Sequence, residues 1–235
     1  MANDVRLNVE VSVVIPAYNE YENLILLLPK LKKVLSSISH EVIVIDAVAC
    51  DNKTSNLCKD LDVEYINRTP SDFYGDAIRT GFKNVTGKYT VVMDADGSHS
   101  PEFILKMLPE MDHNDLIIAS RYMPGGSTKN ARSLVFMSQI VNKVFSLLLN
   151  LKLYDVSNSY RCYKSNQLSS LCLKCNNFDI VEEILFKLIK SKDEFKVQEL
   201  PFDFDRRIYG KSKRSSVAFV ASYIKTLILL RLGKL

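Results

Sequence analysis

Residues 91–102 read VVMDADGSHSPE. An apolar run stops at two carboxylates one residue apart, Asp94 and Asp96, and a Gly-Ser pair and Pro101 follow. YTVVM (89–93) has the β-branched and aromatic content of a strand, and a proline just past a polar turn fits the first turn of a helix. Working outward, the same alternation recurs. VSVVI (11–15), EVIVI (41–45), VEYI (63–66) and DLIIAS (115–120) read as further strands. Asn19 with Glu22 fits a capping box, ahead of a helix whose apolar positions Leu24, Leu27, Leu28, Leu31, Leu35 and Ile38 recur at helical spacing. A polar helix near 52–61, a helix near 75–84 and one from Pro101 fill the remaining gaps. Strands alternating with helices predict an α/β fold: a mostly parallel sheet with helices on both faces. In such sheets ligands bind at the carboxyl ends of the strands, where this chain places Pro16 to Glu20, Asp46, Asp94 and Asp96.

After Arg121 the pattern is less regular. A loop with Gly125 and Gly126 leads to a long amphipathic helix from about Leu134 and a mixed segment to Leu171. A helix near 180–190, a strand near 195–200 and a final apolar helix follow. The expectation is a single domain over 1–235, with a regular strand-and-helix half at 9–122 and a second half at 123–235 that ends in an amphipathic helix. In the long helix Ser138, Gln139, Asn142, Lys143, Ser146 and Asn150 share one face and the rest is nearly all apolar, a pattern that suits either core packing or an anionic bilayer. The apolar stretches 134–153 and 217–232 are broken by Lys143, Lys152, Lys225 and Arg231, so neither reads as a clean membrane span.

The net charge of +4 over 235 residues is too small to suggest a nucleic-acid protein. Five cations nevertheless crowd into RRIYGKSKR (206–214). Five cysteines without a disulfide-like pattern predict reduced thiols in a cytosolic setting. Cys172 and Cys175 form a C-x-x-C that lacks the second pair or histidine of a zinc site.

Asp94 and Asp96 repel unless a cation joins them, and hard oxygen donors suit Mg2+ or Mn2+, which also bind substrate phosphates. Solvated turn aspartates are the plain alternative. An EF-hand fails because Leu105 stands where its final glutamate belongs, and a P-loop fails because Asp205 stands where its first glycine belongs.

Several motifs now combine: VVIPAYNEYENL (13–24), VID (44–46), GDAIRTGF (75–82), VVMDADGSHSPE (91–102), SRY with GG (120–126), DVSNSYRCY (155–163) and FDRRIYGKSK (204–213). Together they resemble the inverting glycosyltransferases of family two, nearest the dolichyl-phosphate mannose synthases. The resemblance implies a GT-A fold, a Rossmann-like nucleotide-diphospho-sugar transferase. It implies that Pro16, Tyr18 and Glu20 line the nucleotide, that Asp46 accepts from the base, and that Asp94, Ala95 and Asp96 hold metal and diphosphate with Ser98 beside the metal. Arg121, Arg132, Arg207 and Lys213 are the implied cations for the acceptor phosphate and the developing charge, and Asp96, Arg121, Arg132 and Arg207 the implied catalytic set. Tyr18 as packing, Arg132 as a surface charge and Lys213 as a solvated lysine or membrane contact remain open.

The implied reaction moves a hexose, mannose from GDP-mannose, onto dolichyl or polyprenyl phosphate with Mg2+ or Mn2+. Its place is cytoplasmic, peripheral on the cytosolic face of a membrane, with a separate membrane anchor subunit among the implied partners. Three alternatives stand beside it: a UDP-glucose-dependent dolichyl-phosphate glucosyltransferase, a transferase with a sugar hydroxyl acceptor using Glu182 or Glu183 as base, and a non-catalytic nucleotide-sugar-binding subunit. Three residues depart from the family's pattern. Ala47 replaces a second acid after Asp46, Ser159 replaces a glycine, and a tryptophan after the GG loop is missing.

Overall fold

The computed structural model describes residues 9–49, 52–148, 150–210 and 216–234. Strands β1 (Val11–Pro16), β2 (His40–Asp46), β3 (Glu64–Asn67), β4 (Tyr89–Val92) and β5 (Leu116–Ser120) alternate with helices α1 (Tyr21–Val34), α2 (Asn52–Asp60), α3 (Tyr74–Asn84) and α4 (Ile104–Glu110). The second half adds β6 (Ser127–Thr128), α5 (Arg132–Leu148), β7 (Arg161–Lys164), α6 (Ile180–Lys190), β8 (Val197–Pro201), β9 (Asp203–Phe204) and α7 (Ser216–Arg231).

The main sheet has seven strands in the order β3-β2-β1-β4-β7-β5-β8. Of these strands β7 alone runs against the others, pairing antiparallel with β4 and β5. The expected mostly parallel sheet with helices on both faces is therefore present, with one antiparallel strand, β7, inserted from the less regular stretch before Leu171. Both faces are covered, which explains the unbroken apolar strands. Val11, Val13 and Ile15 pack toward α1 and α4, whereas Val14 packs toward α3, α6 and α7.

The capping box does not form. Asn19 takes a left-handed φ of 54° in the tight turn after β1, so α1 starts at Tyr21 without a side-chain cap. The helix from Pro101 begins as a single 3-10 turn and becomes α-helical at Ile104. A two-stranded β6-β9 ladder also went unseen in the sequence, because two-residue strands leave no periodicity.

Candidate active site

The parallel strands deliver their polar ends to one edge of the sheet. At the end of β2 the carboxylate of Asp46 is 1% exposed. One oxygen accepts the Ala47 amide at 2.8 Å, and Oδ2 has no hydrogen-bond partner among the described residues. A buried unpaired acceptor is costly, so this oxygen suits an N–H donor from a ligand. It opens on a cavity of about 550 Å³ lined by Asn19, Tyr21, Glu22, Ala49, Lys53 and Thr54. Beneath it runs Arg68, 3% exposed. Its guanidinium donates to the carbonyls of Ala17, Ile45, Asp46 and Asp72, stapling the ends of β1 and β2, and lies 5.8 Å from the Tyr18 ring. Burial pulls the Arg68 pKa below its ordinary value, against the pull of Asp46. Pro16 is buried as the last residue of β1, while Tyr18 is 38% exposed at the mouth.

At the end of β4 the chain turns through Asp94-Ala95-Asp96-Gly97-Ser98. Gly97 has φ 83°, a left-handed conformation that favours glycine, and a Cβ there would displace the tip of the exposed Ile208 side chain. Ala95 is buried in the core and fixes the middle of the turn. The Ser98 amide and hydroxyl both donate to Asp96 Oδ1, at 3.0 and 2.5 Å. Ser98 is 1% exposed, so its hydroxyl is committed to orienting Asp96. The Asp94 amide donates to His99 Nδ1 at 2.9 Å, and the His99 ring stacks on Tyr160. Burial depresses the His99 pKa below its ordinary value, which fits a neutral ring accepting at Nδ1.

The segment 204–209 crosses this turn as a strap. Asp205 and Ile208 amides donate to the carbonyls of Ser98 and Asp96 at 3.2 and 3.0 Å. Tyr209 exchanges hydrogen bonds with the side chain of Asn23. Arg207 donates to both oxygens of Glu20 at 2.7 Å and lies 3.1 Å from Asp96 Oδ2. Glu20, expected to line the nucleotide, grips Arg207 and Asn23. A guanidinium stands against the D-x-D where a metal would put its charge.

Arg121 is placed differently. Its Nε and Nη2 make a two-pronged pair with Asp155 at 2.7 Å each, and Ser157 accepts at 2.9 Å. Burial alone would push the Asp155 carboxyl up, but Arg121 more than offsets this and holds it below the usual range. Arg121 reaches the site indirectly, stacking over Phe204, which in turn touches His99. Arg132, the first residue of α5, is exposed, and Lys213 lies outside the described residues.

Of the two candidates for a general base, Glu183 is fully engaged elsewhere, and Glu182 is buried with neither carboxylate oxygen hydrogen-bonded among the described residues. Both oxygens of buried Glu183 accept the amides of Lys174 and Cys175, and Lys187 pairs with it at 2.7 Å. Glu182 is 1% exposed, and burial pushes its carboxyl up to about 8, against the pull of Arg161. Neither can reach a substrate in solvent. Arg161 is itself fully buried, donating to the carbonyls of Val156, Asn158 and Val181. Cys58, Cys162 and Cys175 are buried thiols, with Cys58 pushed up to about 12 by burial, and Cys172 is exposed.

Sequence reasoning missed Arg68, Asn23, Asp155 and the contact of Ser159 with Asp94. Register could have found the last: Val92 pairs with Arg161, so two residues on, Asp94 falls opposite Ser159.

Residues 12–172 match the model of glycosyl transferase family 2. A dolichol-phosphate mannosyltransferase of Pyrococcus furiosus is 33% identical over 211 residues, 87% of this chain. The chain spans 59% of that relative's length. A polyprenol monophosphomannose synthase of Mycolicibacterium smegmatis is 32% identical over 86% of this chain and 80% of its own. An undecaprenyl-phosphate mannosyltransferase of Micrococcus luteus is 29% identical over 87% of each. Among solved structures, glucosyl-3-phosphoglycerate synthase from Mycobacterium tuberculosis, crystallised with Mn2+, UDP and glucosyl-3-phosphoglycerate, superposes with TM-score 0.71. It covers 95% of this chain and 80% of its own at 15% identity, a likeness of fold alone. The expected family and GT-A fold are borne out: the chain belongs to glycosyl transferase family 2.

Proposed function

We propose that this protein transfers a hexose, mannose from GDP-mannose, with inversion onto a polyprenyl (dolichyl) phosphate. The observation that carries this reading is the strap, because it brings a cation, Arg207, onto the same carboxylate that would serve a metal and a diphosphate. The names of the similar mannosyltransferases support the acceptor class.

The D-x-D fits a divalent cation. Two carboxylates with a free or exchangeable oxygen each are what Mg2+ or Mn2+ takes from a protein when phosphates and water complete the shell. Among the described residues no group of three or more His, Cys, Asp or Glu is placed to hold a metal unaided, which agrees with a site finished by substrate. Asp94 and Asp96 would hold the ion, with Ser98 orienting Asp96. Bound there, the cation supplies neutralisation of the leaving nucleoside diphosphate.

Asp46 receives the base through its unpaired oxygen, and Arg68 keeps that pocket in shape. Arg207, gripped by Glu20, is the cation we assign to the acceptor phosphate, with Arg132 and Lys213 as further candidate cations for that group. A phosphate monoester has its second pKa near 6 and is largely dianionic at neutral pH, so it attacks with little help from a base. The burial of Glu182 and the engagement of Glu183 support this over a sugar hydroxyl acceptor.

A lipid substrate calls for a membrane surface, and α5 supports one. Two of its polar residues turn inward, Asn142 donating to Asp155 and Ser146 to the Leu153 carbonyl, while Arg132, Gln139 and Lys143 are exposed. Leu134, Phe136, Met137, Ile140 and Leu147 face outward, 44–77% exposed, and Ile224, Ile228 and Leu232 do the same at the chain's end. Such faces suit peripheral docking on the cytosolic leaflet, alone or beside a separate anchor subunit. Among the described residues no helix is long and apolar enough to cross a membrane.

The test is product mass spectrometry after mixing the protein, Mn2+ and a short polyprenyl phosphate with GDP-mannose or UDP-glucose, with and without EDTA. A hexosyl phospholipid from GDP-mannose, lost with EDTA, is the expected result. Product from UDP-glucose instead would shift the donor, and nucleotide binding without product from either would favour a non-catalytic subunit.

A further inference from the structure

Asp96 is held on both carboxylate oxygens, with Arg207 on Oδ2, whereas Asp94 is tied down on one side. Asp96 Oδ1 accepts the Ser98 amide and hydroxyl. Asp94 Oδ1 accepts the Ser159 hydroxyl at 3.1 Å. What remains on Asp94 is Oδ2, 3.8 Å from His99 Nε2, on a side chain 28% exposed. Ser159 sits at a position where the family pattern carries glycine, which has no hydroxyl to give.

Ser159 is also held rigidly. It is 8% exposed, and its neighbours are fixed on both sides. Asn158 donates to the Ala119 carbonyl at 2.6 Å, and the Tyr160 hydroxyl donates to the Ser100 carbonyl at 2.7 Å. The antiparallel register of β7 on β4 brings this fixed hydroxyl opposite Asp94.

An oxygen that already accepts a hydrogen bond is a poorer metal ligand than its free twin. Mg2+ takes six ligands near 2.0–2.1 Å in near-ideal octahedral order and binds carboxylates through single oxygens, whereas Ca2+ takes six to eight at 2.3–2.6 Å and readily accepts both oxygens of one carboxylate. We propose that Ser159 is a positioning residue that confines Asp94 to one-oxygen ligation and so sets the site's preference for a small divalent cation over Ca2+. This rests on the D-x-D metal reading above.

The experiment measures equilibrium Mn2+ binding by electron paramagnetic resonance on protein saturated with GDP or UDP, with displacement by Mg2+ and by Ca2+. Wild type, Ser159→Ala and Ser159→Thr are compared. Ser159→Ala should shift the Mg2+-to-Ca2+ affinity ratio toward Ca2+ by about tenfold, the lower range for losing a group that orients a ligand. Ser159→Thr keeps the hydroxyl and should keep the wild-type ratio. An unchanged ratio in Ser159→Ala, or an equal loss for both ions, would overturn the inference and leave the metal site intact. No Mn2+ binding by wild type with either nucleotide would overturn the metal reading, and this inference with it.

Discussion

Arg121 and Arg207 carry the same charge and the same implied role, yet the structure treats them differently. Arg121 meets a fully buried Asp155 in a closed two-pronged pair, its side chain 10% exposed. Arg207, 25% exposed, is shared between Glu20 and Asp96, whose side chains keep 10% and 14% of their own surface. A guanidinium whose counterion has no other use is part of the fold. One whose counterion is also wanted by a metal can be released when that metal binds, and is then available to an acceptor phosphate. The difference teaches that an arginine's role depends on what else its carboxylate can bind.

The comparison breaks first at Asp96. Asp96→Ala should lower transfer on the order of a thousandfold with the fold intact, the range for losing a key charge-stabilising group. Near-normal turnover with Mn2+ would remove Asp96 from the metal site. Next, Arg121→Ala leaves a buried charge uncompensated and should cost about 3–5 kcal/mol of stability, read by denaturant unfolding. An unchanged midpoint with activity lost would mean that Arg121 touches substrate after all. Arg207→Ala leaves Glu20 and Asp96 without their shared cation, but because Arg207 and Asp96 are more exposed than Arg121 and Asp155 it should cost less stability than Arg121→Ala. It should raise KM for the lipid phosphate by about 10–100-fold, as for one charged hydrogen bond, with nucleotide affinity retained. Equal loss of nucleotide affinity would put it on the donor.

The smallest effect concerns pH. The Glu182 carboxyl has an ordinary value of 4.5 and is pushed up to about 8 by burial. Below about 4.5 folded and unfolded chains both hold its proton, and between about 4.5 and 8 the folded chain alone does. Its contribution is therefore full at low pH and is lost as pH rises through that window. Glu182→Gln should flatten this slope, visible as a higher melting temperature at pH 8 and little change at pH 5. An identical pH profile in both proteins would contradict it.

The first half of the fold was legible because β1, β2, β4 and β5 are buried on both faces and so spell unbroken apolar runs. RCYK, the four residues of β7, has a cation at each end, and its pairing partners lie some 45–75 residues away, so nothing local marks it as a central strand. The same distance hid the site's second layer. Asp155 lies 34 residues from Arg121, and Glu20 lies 187 from Arg207, so a motif reading saw four similar cations where the folded chain separates a locked one from a shared one. The placing of Asp94, Asp96 and Asp46 at the carboxyl edge of the sheet was legible because strand ends follow from the apolar runs before them. Ser98 and Glu20 needed coordinates, because their partners lie in side-chain geometry that spacing does not encode.

The most direct test of the account is an acceptor comparison: GDP-mannose, Mn2+ and either a polyprenyl phosphate or the polyprenol of the same length, with product read by mass spectrometry. A site with an arginine strap and no available base should glycosylate the phosphate and leave the alcohol untouched. Product from the alcohol at a comparable rate would contradict it, because a hydroxyl acceptor needs a base that this reading does not provide.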